Sequence, residues 1–431
     1  EISCSLVGSE MCIRDSCMVV GRKKIYYGWI IVAVGVIMMM SYGIVNNCIS
    51  LYVVPICSEL GFTRKAGAFM STLYSAGGML VSAVSSSLYQ AIPVKKSMRV
   101  AAVTLSAAYF CYFFADKLWQ FYIISAVAGC AMWLIAYVPY AIILSNWFHK
   151  RTGFVIGLTY MGTGIGGMLF SPVVGRLIET VGWRECFAIM SIIVAFAVIP
   201  GSFIVRDKPE EKGLLPYGER NADEAARHIS EPEGMYFHDI IRSPRFYAIA
   251  IGLSALSFVN TGFAGTFAAY MSDLGYPISV ASAVVSGNMA SLAVGKISLG
   301  WIYDKLGNIV GTALSGAFLA GAVVAGLLMP GTLPVICEIA LFSLGFAFGS
   351  VAIPIISMAA FGERSFSKVN GTFMAVTGIA AAMGPVFSGH VCDTTGSYAG
   401  SYRAYVVIAA VFTVVIILCL AKSKERTFNR T

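Results

Sequence analysis

Apolar residues run along this chain in blocks of about twenty, separated by short polar breaks. The blocks lie at about 28–56, 66–90, 98–116, 119–146, 153–178, 185–205, 246–271, 279–303, 309–329, 333–358, 369–392 and 402–421. A helix that crosses the hydrocarbon core needs about 20 such residues. The pattern predicts twelve membrane-spanning helices. One long polar stretch, 206–243, breaks the series with RDKPEEKG, NADEAARH and EPEG. It predicts a solvated linker between an N-terminal bundle (18–205) and a C-terminal bundle with its tail (244–431). If the sides alternate, Arg22, Lys23, Lys24, Lys95, Lys96, Arg99, Lys150, Arg151, Lys305, Arg364, Lys368 and the basic tail share one face with the linker. Only Arg64, Lys65, Lys117, Arg176, Arg184 and Arg403 fall on the other. The positive-inside bias places both termini in the cytoplasm and supports the count of twelve.

Composition agrees with a lipid solvent. Of 431 residues, 58% are hydrophobic and 12% charged, whereas soluble domains carry roughly 25% charged residues. The 44 glycines suit helices that approach closely in a membrane. Residues 1–17 are read apart from the fold. The string LVGSEMCIRDS within them resembles a translated sequencing adapter, and the natural start is expected at Met18. Removing them takes out one Arg and three acids, and the net charge moves from +8 to +10. Those charges serve topology and anionic lipid, with no nucleic acid implied. Three of the eleven cysteines fall in 1–17, and the rest lie mostly in apolar runs without a CxxC pair. His149, His228, His238 and His390 are scattered, so no metal, cofactor or enzymatic centre is expected. No GxxxxGK[ST] loop indicates nucleotide-driven pumping.

The two halves are alike. Gly153 pairs with Gly371, Pro172 with Pro385, Gly175 with Gly389, Glu179 with Asp393, and Gly182 with Gly396. A half-and-half repeat around a midplane site is a transporter design.

Span eight ends G-W-I-Y-D-K-L-G (300–307), and this resembles the loop motif of the major facilitator superfamily. The resemblance implies two pseudo-symmetric six-helix bundles, with Gly300, Asp304, Lys305 and Gly307 as a conformational latch. The loop after span two keeps its basic cluster but lacks the acid. Residues 146–187, NWFHKRTGFVIG…SPVVGRLIETVGWRECF, resemble the monocarboxylate transporter and oxalate–formate antiporter branch, as does span one. The glycines Gly162 and Gly166 also allow close helix packing.

Lys296 is the one Lys or Arg well inside a span. A charge there is costly unless paired or hydrated, so it marks a candidate site. In the branch that this chain resembles, an arginine four residues before the motif glycine binds the substrate carboxylate, and Lys296 holds that place. Thr377 stands where oxalate–formate antiporters carry a second basic residue, which favours a monoanion. Asn46 and Leu292 replace the lysine and aspartate of the proton-coupled members, which argues against simple proton symport. Glu338 is the one carboxylate inside a span, and it is the proton-coupling candidate. Tyr42, Asn46, Asn47, Tyr137, Tyr140, Tyr160, Asn260 and Asn288 are the uncharged candidates for substrate contact.

These readings lead to a monomeric inner-membrane secondary transporter for a small organic anion, with a monocarboxylate favoured. Exchange against a counter-anion or a proton gradient would drive it. The alternative is an efflux pump of the same fold for hydrophobic or drug-like compounds, which would prefer a buried acid in the cavity.

Overall fold

A computed structural model describes residues 18–20, 23–62, 64–218, 234–276 and 278–428. Residues 1–17 and His228 lie outside them. A short antiparallel pair, β1 (Met18–Val20) and β2 (Lys23–Ile25), precedes the helices. The helices follow the predicted blocks to within a few residues. Span one is α1 (Tyr27–Asn47) with α2 (Ile49–Leu60), and span two is α3 (Arg64–Ala91). Span three is α4 (Val94–Cys111) with a 3-10 turn. Span four is α5 (Leu118–Trp133) with α6 (Tyr137–Trp147), and span five is α7 (Thr152–Tyr160) with α8 (Gly162–Val181). Span six is α9 (Trp183–Ile204). The linker contributes α10 (Phe237–Arg242). Spans seven to twelve are α11 (Pro244–Asp273), α12 (Ile278–Leu306), α13 (Asn308–Leu327), α14 (Thr332–Phe361), α15 (Phe366–Thr395) and α16 (Ala399–Phe428).

Among the described residues, ten of these columns are long and apolar enough to cross a membrane by length and composition. The other two, α3 and α12, have 28 and 29 residues. At about 1.5 Å per residue each still spans a core of about 30 Å. Large apolar side chains point outward along the columns, for example Phe196 at 78% exposure and Leu333 at 72%. Such a surface is stable only against lipid.

Three spans are broken. In span four, Pro139 lacks an N–H and its ring crowds the carbonyl four residues back. The helix is interrupted over 134–136 just before it. Span five breaks at Met161, where the Gly164 amide bonds the Met161 carbonyl at 3.0 Å. Span one breaks at Cys48.

Within each bundle, helices touch backbone to backbone. A Cβ at Gly166 would collide with the Met40 carbonyl, and one at Gly43 with the Thr163 carbonyl. In the other half a Cβ at Gly384 would collide with the Phe258 carbonyl. In lipid there is no hydrophobic force between helices, so close van der Waals approach supplies the cohesion. The repeat is visible in backbone geometry as well. Gly182 and Gly396 both end their helices at positive φ, +96° and +75°.

The linker is fastened at both ends to equivalent places. Tyr217 donates its amide to the Trp147 carbonyl (2.8 Å), and His149 and Lys150 donate to the Tyr217 carbonyl. Trp147 Nε1 donates to the Arg206 carbonyl at 3.0 Å. Lys95 N–H donates to Asp207 Oδ1 at 2.8 Å. Burial pushes the Asp207 carboxyl above its usual range, and this amide pulls it back. At the other end Met235 donates its amide to the Phe361 carbonyl and accepts from Ser365 Oγ. Trp147 and Phe361 close spans four and ten, which are matching spans of the repeat. On the opposite face Arg184 donates to Asp116 at 2.7 Å and to two backbone carbonyls, while Trp183 Nε1 donates to Glu59 at 2.6 Å. This accounts for the GWR element as a staple from span six to the ends of spans one and three.

The glycine contacts give a test. Gly166→Val is expected to lower the midpoint of thermal unfolding of the purified protein by several degrees, because α1 and α8 must separate. Gly175 meets nothing within 4 Å. Gly175→Ala is therefore expected to leave stability unchanged or raise it by about 0.5–1 kcal/mol through helix propensity. Equal loss in both variants would refute the packing argument.

Candidate functional site

A cavity of about 360 Å³ lies between the bundles at mid-height. Span one gives it Tyr42 and Asn46, span four Trp133 and Tyr137, and span five Thr163 and Gly164. From α11 come Ser257, Asn260 and Thr261, at helical spacing on one face. From α12 come Met289, Leu292 and Lys296, again one face. The remaining wall is Phe346, Gly349 and Ser350 from α14 and Met374, Thr377, Gly378 and Ala381 from α15.

Lys296 is 4% exposed. Its Nζ donates to Thr163 Oγ1 at 2.5 Å and to the Tyr160 carbonyl at 3.4 Å. The break at Met161 makes this possible. A continuous helix would spend the Tyr160 carbonyl on the Gly164 amide, which here bonds Met161 instead. No carboxylate pairs with Lys296 among the described residues. Lys296 is also the only charged side chain among the described lining residues.

The aromatic side is braced. Tyr137 packs edge-on against Tyr42 and Tyr160, with ring centroids 5.0 and 4.8 Å apart. Tyr160 OH donates to the Tyr137 carbonyl at 2.6 Å, so this ring props span four and does not line the cavity. Asn260 Nδ2 donates to the Phe346 carbonyl at 3.2 Å, and its side chain still borders the cavity. Tyr140 is fully buried elsewhere, with its hydroxyl donating to Met38 sulfur at 3.0 Å. Asn288 faces α14 and bonds Glu338, and neither residue lines the cavity. Asn47 ends α1, and its side chain lies outside the described residues.

Thr163, Trp133, Ser257, Thr261, Phe346 and Ser350 are cavity residues that the sequence reading did not single out. The polar stripe of Ser257, Asn260 and Thr261 in an apolar helix is a usable signal. Thr163 and Trp133 carry none, because both depend on where their spans break.

The linker face of the cavity is closed by α7 and α12. Asp304 Oδ1 accepts from the Gly153 amide at 2.9 Å and Oδ2 from the Phe154 amide at 2.7 Å. Its charge thus sits on the positive N-terminal end of α7. Gly153 and Gly300 face each other across this crossing, and a Cβ at Gly300 would collide with the Gly153 carbonyl. Lys305 lies exposed over the Trp301 ring, and Gly307 takes the turn at φ +85°. The repeat-related crossing of α3 and α15 sets Gly371 against Ser82 and Ser85, with no acid between them. On the opposite face the bundles part. A second cavity of about 530 Å³ opens between α8 and α11–α12, and Met289 lines both.

The family model described as Major Facilitator Superfamily matches residues 31–362, about three quarters of the chain. Among curated proteins, monocarboxylate transporter 12 of Rattus norvegicus is 22% identical over 404 residues, which cover 87% of this chain and 82% of that protein. The uncharacterized MFS-type transporter YhjX of Escherichia coli is 25% identical over 268 residues, 60% of this chain and 62% of that one. Among solved structures, the proton:xylose symporter XylE superposes with a TM-score of 0.71 at 13% identity, covering 90% of this chain and 94% of that one. The E. coli fucose:proton symporter FucP gives 0.68 at 11% identity, covering 92% and 99%. These likenesses establish the fold.

Asp304 supplies a direct test of the closed face. Asp304→Asn keeps the size and removes the charge. Hydrogen bonds to a charged group contribute about 1.5–3 kcal/mol. Asp304 is exposed, so the low end applies. A shift of roughly tenfold toward separated linker ends is expected. Pulsed EPR distances between nitroxides at positions 150 and 306 would read it. An unchanged distance distribution would show that Asp304 does not hold this face together.

Proposed function

The chain belongs to the major facilitator superfamily, and we propose that it moves a small organic anion, with a monocarboxylate favoured, by alternating access around the central cavity. One observation carries the reading: the cavity wall holds a single buried cation, Lys296, and no acid opposes it among the described residues. A buried charge without a counter-charge costs several kcal/mol. Two neutral oxygens, from Thr163 and Tyr160, offset part of that cost. A carboxylate arriving from the wide side would supply the missing charge. The lysine is a point charge rather than a fork, which suits one carboxylate better than a planar dicarboxylate clamp.

Tyr42, Asn46, Tyr137 and Asn260 would surround the remainder of the substrate. Tyr160 acts through its backbone and its brace on Tyr137. The curated relatives named as monocarboxylate transporters support the substrate class. The rival, an efflux pump for hydrophobic or cationic compounds, would want an acid on the wall. Glu338, the one intramembrane acid of the sequence reading, is turned away from the cavity. The protein acts as a monomer in the inner (plasma) membrane with both termini in the cytoplasm, driven by a counter-anion or a proton gradient.

Reconstitution tests this. Proteoliposomes should take up labelled formate, lactate or pyruvate saturably, and oxalate less well, with or without internal counter-anion and a proton gradient. Lys296→Ala should lose roughly ten- to a hundredfold in transport efficiency, as expected for about 1.5–3 kcal/mol of charge-assisted bonding. If no carboxylate is taken up by a folded protein, and Lys296→Ala behaves as wild type with any other substrate, the anion reading fails.

A further inference from the structure

We propose that Glu338 and Asn288 form a proton-binding site of the carboxylic acid–amide kind inside the C-terminal bundle, separate from the anion cavity, and that it loads one proton per transported monoanion. Only the coupling rests on the anion reading; the proton site stands by itself.

Glu338 is 0% exposed and Asn288 3%. Asn288 Nδ2 donates to Glu338 Oε1 at 3.1 Å. The other two oxygens of the pair, Glu338 Oε2 and Asn288 Oδ1, have no hydrogen-bond partner among the described residues. Both are acceptors while the carboxyl is ionised. Leaving two buried acceptors unpaired is costly, and a bare carboxylate in this interior more so. A single proton on Oε2 removes all three costs. The carboxylic acid then donates to Asn288 Oδ1 and accepts from Asn288 Nδ2, closing a two-bond ring. The charge disappears with the same proton.

Among the described residues no neighbouring charge offers another solution. On α12, Lys296 lies eight residues toward the linker face, about 12 Å along the axis, and its bonds go to Thr163 and Tyr160. Packed along α14, α13 has no Asp, Glu, Lys, Arg or His. The α7 helix brings Tyr160, whose hydroxyl is spent on Tyr137. At this end α11 carries Tyr270 and Asp273, α15 carries His390, Cys392 and Asp393, and α16 carries Tyr402 and Arg403. None of them makes an ion pair or hydrogen bond with Glu338, and Cys337 is its only titratable neighbour on α14.

The site is placed to communicate with the cavity. Asn288 is followed directly by Met289, which lines both the central cavity and the opening on the opposite face. Leu292 and Lys296 continue the same α12 face into the cavity. Asn288, the amide partner of Glu338 on α14, and the anion's counter-charge thus ride on one helix, α12. A protonated Glu338 with a monoanion at Lys296 makes the load electroneutral.

Two measurements test this. Infrared spectra of the purified protein at neutral pH should show the carbonyl stretch of a protonated, hydrogen-bonded carboxylic acid. Glu338→Gln should remove that band, and Asn288→Ala, which keeps the acid and takes away its amide, should shift it. In proteoliposomes loaded with a pH dye, labelled pyruvate or lactate should enter with protons. Glu338→Gln presents an amide to Asn288 Oδ1 and mimics the loaded ring. It should cut pH-gradient-driven accumulation at least tenfold while counterflow exchange of the anion continues. Absence of the acid band in wild type overturns the proton site. Equal pH-driven accumulation in wild type and Glu338→Gln overturns the coupling. A wild type that carries no carboxylate sinks the anion reading instead, and the infrared band then decides the proton site alone.

Discussion

Lys296 gives its ammonium protons to Thr163 Oγ1 and the Tyr160 carbonyl, both on the other bundle. Much of the structure follows from keeping one cation in that place with no acid paired to it among the described residues. The break at Met161 frees the carbonyl that receives it. Gly157 lets α7 come close enough, since a Cβ there would collide with the Lys296 carbonyl. The neutral oxygens solvate the charge but do not cancel it. Among the described lining residues the cavity therefore carries its charge at one spot.

The bundles share a plan but divide the chemistry. The N-terminal bundle supplies the aromatic wall, Tyr42, Tyr137 and Trp133, with Tyr42 edge-on and Trp133 tilted against Tyr137. The C-terminal bundle supplies the ionisable groups, with Lys296 and Asp304 on α12 and Glu338 on α14. The two linker-face crossings differ in the same sense. Asp304 caps α7 at one, whereas Gly371 meets only serines at the other. One crossing is fastened by charge on a helix end, and among the described residues no acid caps the other.

Close backbone approach is what makes such a division workable. Helices in lipid gain nothing by hiding apolar side chains from each other. Gly43, Gly166, Gly262 and Gly384 bring backbones into contact and hold each bundle rigid. The linker is tied to spans four and ten at equivalent ends, so each bundle carries its own share of it.

The helical, membrane-spanning character of the chain and its family were legible in the sequence alone. Each of these depends on local composition: apolar length for a span, a Gly–Asp–Lys–Gly string for the loop, charge for the faces. Lys296 was legible for the same reason, as the one basic residue deep in an apolar run. What lies opposite a side chain was not legible. Tyr140 and Tyr42 look equivalent in the chain, yet one is sealed against Met38 and the other borders the cavity. Glu338 and Asn288 are fifty residues apart and become a pair only when α12 packs on α14. Thr163 acquires its role from a helix break and a neighbour 133 residues away. Rotation of each helix about its axis and its register against the next are set by packing between spans, and only the tertiary structure decides them.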